Sequence, residues 1–104
     1  MYQAVSHRMS DVFVSVEGSR SLALWAAWAV EHESDDAGQA VAAAKASATE
    51  AAVEACEAAI QVLGGIGFTW EHALHRLYKR ALGNAAFLGW PSEHRARIAS
   101  ALLD

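Results

Sequence analysis

The residues best suited to chemistry in this 104-residue chain form one short block, Gln61-Val62-Leu63-Gly64-Gly65-Ile66-Gly67. Glycines let backbone N–H groups come close to a phosphate, and successive turn amides can form an anion nest. The Gln61 side chain can add a hydrogen bond. The same glycines, placed after a helix, also serve as a plain C-terminal stop. Three other groups invite a search. Glu71-His72 and His75 lie within one turn, with the two histidines at i, i+3, but the His-Glu-x-x-His order of a zinc hydrolase is absent, so a polar helix face and no metal site are predicted. Cys56 sits among alanines with no base at i±3 or i±4 to lower its pKa, which predicts packing and not nucleophilic catalysis. Trp25, Trp28, Trp70 and Trp90 are able to stack on a ring, although packing in a core or subunit interface is the simpler use. No Gly-x-Ser-x-Gly elbow, Walker loop or Gly-x-Gly-x-x-Gly after a strand occurs.

Helices must position these groups. Val5, Met9, Val12, Val16, Arg20, Ala23, Ala27 and Val30 recur at spacings of three and four, predicting a first helix over about 3–31 with that stripe inward and Phe13, Leu24 and Trp28 widening it. Arg20 on the stripe must pair or snorkel. The polar break Glu31-His32-Glu33-Ser34-Asp35-Asp36 follows, with Ser34 or Asp35 as the cap of a second helix over about 36–63. Val41, Ala44, Ala48, Ala52, Ala55, Ala59 and Val62 form its predicted seam, and both helices would be roughly 40–45 Å long. Thr69 caps a third helix over about 70–82, directing Leu74, Leu77, Tyr78 and Ala81 inward, with Gly83-Asn84 as its stop. Pro91 and Ser92 introduce a last helix over about 93–103, with Ser92 as its expected cap. The fold class is therefore all-α, an antiparallel helical bundle of about four helices in one domain, 1–104.

Composition agrees. Alanine supplies 24 residues and there is one proline, which argues against disorder. A folded monomer of this size exposes roughly 5,700 Å². The net charge of −4 argues against a nucleic-acid coat or a basic membrane-surface module. The longest apolar run, Leu22 to Val30, is far short of the ~20 residues that span a bilayer, and no secretory signal is visible. With one cysteine, no intrachain disulfide framework forms, and a reducing cytoplasm fits. Charge is uneven: residues 1–57 carry three bases and nine acids, residues 58–104 five bases and three acids.

Read together, the segments Gln3-Ala4-Val5-Ser6-His7-Arg8-Met9-Ser10-Asp11, Ala44-Lys45-Ala46-Ser47-Ala48-Thr49-Glu50-Ala51-Ala52 and Gln61 to His72, continuing to Leu74-His75 and Lys79-Arg80-Ala81, resemble the C-terminal helical domain of acyl-CoA dehydrogenases. Their order and separation fit that family over nearly the whole chain. The Gln-x-x-Gly-Gly-x-Gly-Phe-Thr block carries most of the specificity. The Trp-Glu-His-x-Leu-His continuation is similar to a bacterial branch found in lipid and sterol side-chain breakdown.

The resemblance implies a flavoprotein oxidoreductase that removes hydrogens from the α and β carbons of an acyl-CoA. It implies FAD shared across a subunit interface, with the ADP half held by this domain of the neighbouring subunit. By position, Gln3 matches a glutamine that contacts FAD, and Gln61, Val62, Leu63, Gly64 and Gly65 match the loop against the FAD pyrophosphate and ribose. The family's N-terminal helical and middle β-domains have no counterpart here. The position of the catalytic base in Tyr-Glu-Gly-Thr is held by Leu88 in Phe87-Leu88-Gly89-Trp90, which cannot take a proton; Glu93 suits a helix dipole and is no substitute. No catalytic residue is therefore assigned, and the chain is not expected to be active alone. The resemblance leaves three functions open: the C-terminal bundle of a homo- or hetero-oligomeric dehydrogenase, which meets acyl-CoA only in the complete enzyme; a non-catalytic partner subunit; or a helical self-association module without flavin.

Overall fold

A computed structural model describes residues 2–65 and 71–103. Four helices account for nearly all of them: α1 (Tyr2–Glu31), α2 (Ala37–Gly65), α3 (Glu71–Ala86) and α4 (Pro91–Leu103). Ile66, Gly67, Phe68, the expected cap Thr69 and Trp70 lie outside the described residues.

The break between α1 and α2 is closed by backbone bonds. Ser34 N–H donates to the Ala29 carbonyl at 2.9 Å and Glu33 N–H to that of Val30 at 3.2 Å. Glu33 takes a left-handed φ of 52°, the bend that ends many helices. His32 adds a ring contact, stacking on Trp28 with centroids 4.3 Å apart and bonding through Nδ1 to the Trp28 carbonyl at 2.8 Å. The cap position of α2 belongs to Asp36, whose carbonyl accepts from Ala40 N–H at 2.9 Å; the expected caps Ser34 and Asp35 lie earlier. Ser34 Oγ instead donates to the Asp36 carboxylate.

α1 and α2 run antiparallel. Ser19 meets Ser47 through their hydroxyls at 2.9 Å, and Ser15 Oγ donates to Glu54 at 3.4 Å. Small residues permit the close approach: Ala29, Ala40 and Ala58 have no exposed surface, and Ser19, Ala26, Ala42, Ala46, Thr49 and Ala51 are buried. The stripe predicted for α1 is only partly the buried one. Val5 and Val12 are half-buried, but Met9, Val16, Arg20, Ala23, Ala27 and Val30 are exposed, and so are Phe13, Leu24 and Trp28. Ser15, Ser19, Leu22, Ala26 and Ala29 take the inward positions in their place. Hydrophobicity misleads here because a tight helix pair selects small side chains at the seam and pushes large ones outward. Arg20 pairs at the surface with Glu17 at 3.7 Å. On α2 the predicted seam shifts similarly: Val41, Ala48 and Ala52 are exposed.

α3 runs through Gly83 and Asn84 to Ala86, so this expected stop is interior to the helix. A Cβ on Gly83 would meet nothing within 4 Å, and the site is tolerated as an exposed helical glycine. The true break is 87–90, where Leu88 (φ 60°) and Gly89 (φ 109°) are both left-handed. α4 then starts two residues before the predicted point, with Pro91 first in the helix and the Trp90 carbonyl accepting from Glu93 N–H at 3.0 Å and His94 N–H at 3.2 Å. Trp90, not Ser92, thus holds the cap position.

α3 and α4 both run antiparallel to α2. α3 lies along its C-terminal half and α4 along its N-terminal half, where Arg95 pairs with Glu50. In this helical bundle α2 is the central helix, with α1, α3 and α4 each packed against it. Among the described residues α1 makes almost no approach to α3 or α4. Among the described residues no large side chain is fully buried. The molecule measures 50 × 27 × 25 Å and exposes 7457 Å², well above the roughly 5,700 Å² expected of a compact monomer of this size.

Candidate functional site

The antiparallel register brings separated motifs to one end of the bundle. Pairing Ser19 with Ser47 and Ser15 with Glu54 carries Gln3, in the first turn of α1, to the level of the last turn of α2. Gln3 is exposed there, as is Gln61. Val62 and Leu63 are half-buried on α2. Gly64 and Gly65 complete α2, later than the stop expected after Leu63. Their amides therefore fall within a helix, whose backbone donors bond to the carbonyls four residues back.

Gln61 lines an open groove of about 360 Å³ between the rods, with Arg8 from α1, Glu57 and Ile60 from α2, and His75 and Tyr78 from α3. Of the six residues expected at the site, Gln61 lines this groove. Arg8, Glu57, His75 and Tyr78 were missed as groove residues. Arg8 is exposed on α1. The set is bipolar, with a guanidinium, a carboxylate, an amide and two ring side chains. Such donors and acceptors fit a ribose and a phosphate, and the volume accommodates part of a dinucleotide.

A second groove of about 400 Å³ lies between α2, α3 and α4, with Val53, Leu82, Ala85 and Trp90 as its apolar surface and Glu50 and Glu54 on its wall. Glu50 is not a free base. The Arg95 guanidinium hydrogen-bonds it and holds its carboxyl below the usual range. At the neighbouring turn Leu88 projects into solvent, 73% exposed. The Glu93 carboxylate lies beside Gly89, in the first turn of α4. Beneath that turn His94 is 5% exposed, and neither ring nitrogen has a partner. Among the described residues no three His, Cys, Asp or Glu side chains gather as a metal-binding group. Cys56 is half-buried. No described helix is long and apolar enough to cross a membrane.

Comparison with known proteins places these features in a family. Residues 1–103 match the model of the acyl-CoA dehydrogenase C-terminal domain. Relatives include acyl-CoA dehydrogenase IpdE2 of Mycolicibacterium smegmatis, 38% identical over 99 residues that cover 93% of this chain and 29% of that protein. The IpdE2 of Mycobacterium tuberculosis is 36% identical over 95% of this chain and 29% of its own length. A crystal structure of an FAD-dependent dehydrogenase superposes with a TM-score of 0.84 at 35% identity, over 96% of this chain and 27% of that one. The chain thus spans under a third of each of these relatives.

Proposed function

Since the chain belongs to the acyl-CoA dehydrogenase family and matches its C-terminal domain, we propose that it serves as that bundle in an FAD-dependent enzyme that dehydrogenates acyl-CoA thioesters in lipid breakdown. It contributes a subunit interface and part of the site for the ADP and pyrophosphate of FAD. When bound, the flavin supplies the acceptor for the hydrogens removed from the acyl chain. The residues of this chain bind and orient. Gln61 offers its amide to the ribose-phosphate portion, and Gln3 stands exposed at the same end. Val62 and Leu63 shape the approach, while Gly64 and Gly65 leave the helix end without side chains, so a ligand can come close to backbone. The observation that carries this reading is the exposure of Gln61 on an open groove, in a chain whose family match runs from end to end.

The interface half of the proposal rests on uncovered apolar surface. Phe13, Leu24, Trp28 and Val30 on α1 are each more than half exposed, as are Leu77, Phe87 and Leu88 on the opposite flank. Patches of this kind on a small chain call for a partner. A homo- or hetero-oligomer in the cytoplasm is the state proposed.

A second reading has its own observation. Leu88 stands at the exposed turn where the resemblance puts the base, and it cannot move a proton. This fits a non-catalytic subunit whose partner type supplies the carboxylate, and it fits equally an enzyme whose base stands on another helix of the family's subunit. One experiment tests both readings. The domain is completed with the N-terminal and middle portions of its own protein, purified, and examined for bound flavin and for enoyl-CoA formation. Flavin with turnover supports the enzyme. Flavin with turnover only when a second subunit type is added supports the non-catalytic reading. Absence of flavin in every combination overturns both and leaves a self-association module.

A further inference from the structure

Among the described residues, the ring nitrogens of His94 are the buried side-chain polar atoms with no hydrogen-bond partner. The residue is 5% exposed. A neutral imidazole has one N–H donor and one acceptor nitrogen, whereas the protonated ring has two donors and no acceptor. Burying either without partners is costly, and burying the charged ring far more so. The docked position of His94 therefore suits the neutral ring. That position also fastens α4. The inward residues of α4 are Pro91, His94 and Ile98, and His94 is the most deeply buried of them. α4 packs on α2, and a second tie between them, Arg95 with Glu50, is about half exposed and screened by solvent.

The charged groups around the ring are placed elsewhere. From α2, Lys45 and Glu50 are nearest in register. Lys45 Nζ donates to the Asn84 carbonyl, and Glu50 accepts from Arg95. Glu54, one turn further on, accepts from Ser15 of α1. The last turn of α3, Gly83 to Ala86, has no titratable side chain. On α4 itself Arg97 lines a separate groove with Asp35. Glu93 remains. Its Oε2 lies 3.3 Å, and His94 Nε2 3.1 Å, from the point that a Cβ on Gly89 would occupy. Adjacent helix positions do not face each other, so the ring meets this carboxylate by leaving its inward position. The turn ahead of α4 is ready to move. Leu88 holds φ 60° and Gly89 φ 109°, and a left-handed leucine persists only while its surroundings hold it there.

We propose that His94 makes α4 a proton-operated latch: with the ring neutral, α4 is docked on α2, and uptake of one proton turns the ring out past Gly89 toward Glu93 and water and releases α4. Release opens the apolar groove of Val53, Leu82 and Ala85, whose further wall is Trp90. The undocked ring takes up the proton and the docked ring does not. Docking is therefore whole above the ordinary imidazole range, near about pH 6.5, and is lost as pH falls through it. The latch goes beyond the flavin reading and does not rest on it.

The test is amide hydrogen exchange of the 104-residue chain at about pH 7.5 and about pH 5.5, with rates corrected for the intrinsic effect of pH. Glu50, held below the usual carboxylate range by Arg95, stays ionised over this interval. In the wild-type chain, protection of α4 falls about tenfold relative to α1 and α2, the change expected when one ordinary imidazole is protonated only in the open state. His94→Leu and His94→Gln, one apolar and one polar, hold α4 protection constant over the same interval. A fold that rejects one of these side chains is tested by the other. Unchanged α4 protection in the wild-type chain overturns the latch. So does a tenfold loss that survives both substitutions, because other groups then carry it. Loss of protection in α1 and α2 in step with α4 overturns it as well, since the transition is then global.

Discussion

Two side chains separate burial from stabilisation. His94 is buried with both ring nitrogens unpartnered, and leaving such groups dry costs about 1–3 kcal/mol. His94→Leu is therefore expected to leave stability unchanged or to raise it by up to about 2 kcal/mol, read as an increase in Tm by circular dichroism; a fall of similar size would mean that the imidazole has a role that packing does not show. Glu50 and Arg95 are the converse case, well bonded but about half exposed, at 48% and 55% of their side-chain areas. Solvent screening keeps such a pair below about 1 kcal/mol, so Arg95→Ala is expected to cost less than that, and less still in high salt. The pH dependence has a definite sign. Arg95 lowers the Glu50 pKa in the folded chain, so the contribution is whole above the ordinary carboxylate value. It is lost as pH falls through the depressed one. Urea melts at neutral and acid pH should show wild type and Arg95→Ala converging in acid.

The glycines of the helices and of the turn respond oppositely to the same substitution. Gly83 lies inside α3 with open space around its missing Cβ. Gly83→Ala is expected to stabilise by about 0.5–1 kcal/mol, since alanine favours the helix and narrows the unfolded ensemble. Gly89 has φ 109°, and its Cβ would stand 3.1 Å from His94 Nε2. Gly89→Ala is expected to destabilise by at least about 1 kcal/mol, through left-handed strain and displacement of a buried ring. Thermal melts of the two variants should move in opposite directions. The seam between α1 and α2 is equally demanding. Ala29 and Ala40 have no exposed surface, and leucine at either would force the rods apart, at about 1–3 kcal/mol.

For the molecule as a whole, exposed area governs behaviour. Among the described residues α2 is the helix that packs against all three others. The surface of 7457 Å² exceeds the compact expectation by an amount on the order of one standard protein interface. The chain is accordingly expected to self-associate at micromolar concentration unless other protein covers it. Light scattering should report a dimer or larger, and Phe13→Ser with Leu24→Ser should return it toward monomer. A well-behaved wild-type monomer would remove the interface from the proposed function.

Four helices, their order and most of their ends were legible in the residues, because apolar spacing, caps and glycine act locally. The last helix start shows the limit of that logic: Pro91 fits the first helical position, yet Ser92 looked the better cap, and only the φ values at Leu88 and Gly89 located the break. Gly83-Asn84 read as a stop, but helix propensity is worth about 1 kcal/mol there and packing along α2 outweighs it. Gln61 could be singled out from its motif. Its companions Arg8, Glu57, His75 and Tyr78 could not, since the groove arises from the antiparallel register of α1 and α3 against α2, and register is a property of pairs of helices. The sequence by itself determined that this chain is helical, because helix formation depends on neighbours within a few residues. The tertiary structure decided that α2 is central, that large apolar side chains face outward, and that a cation and a carboxylate share a groove, because these depend on which small residues let two backbones approach.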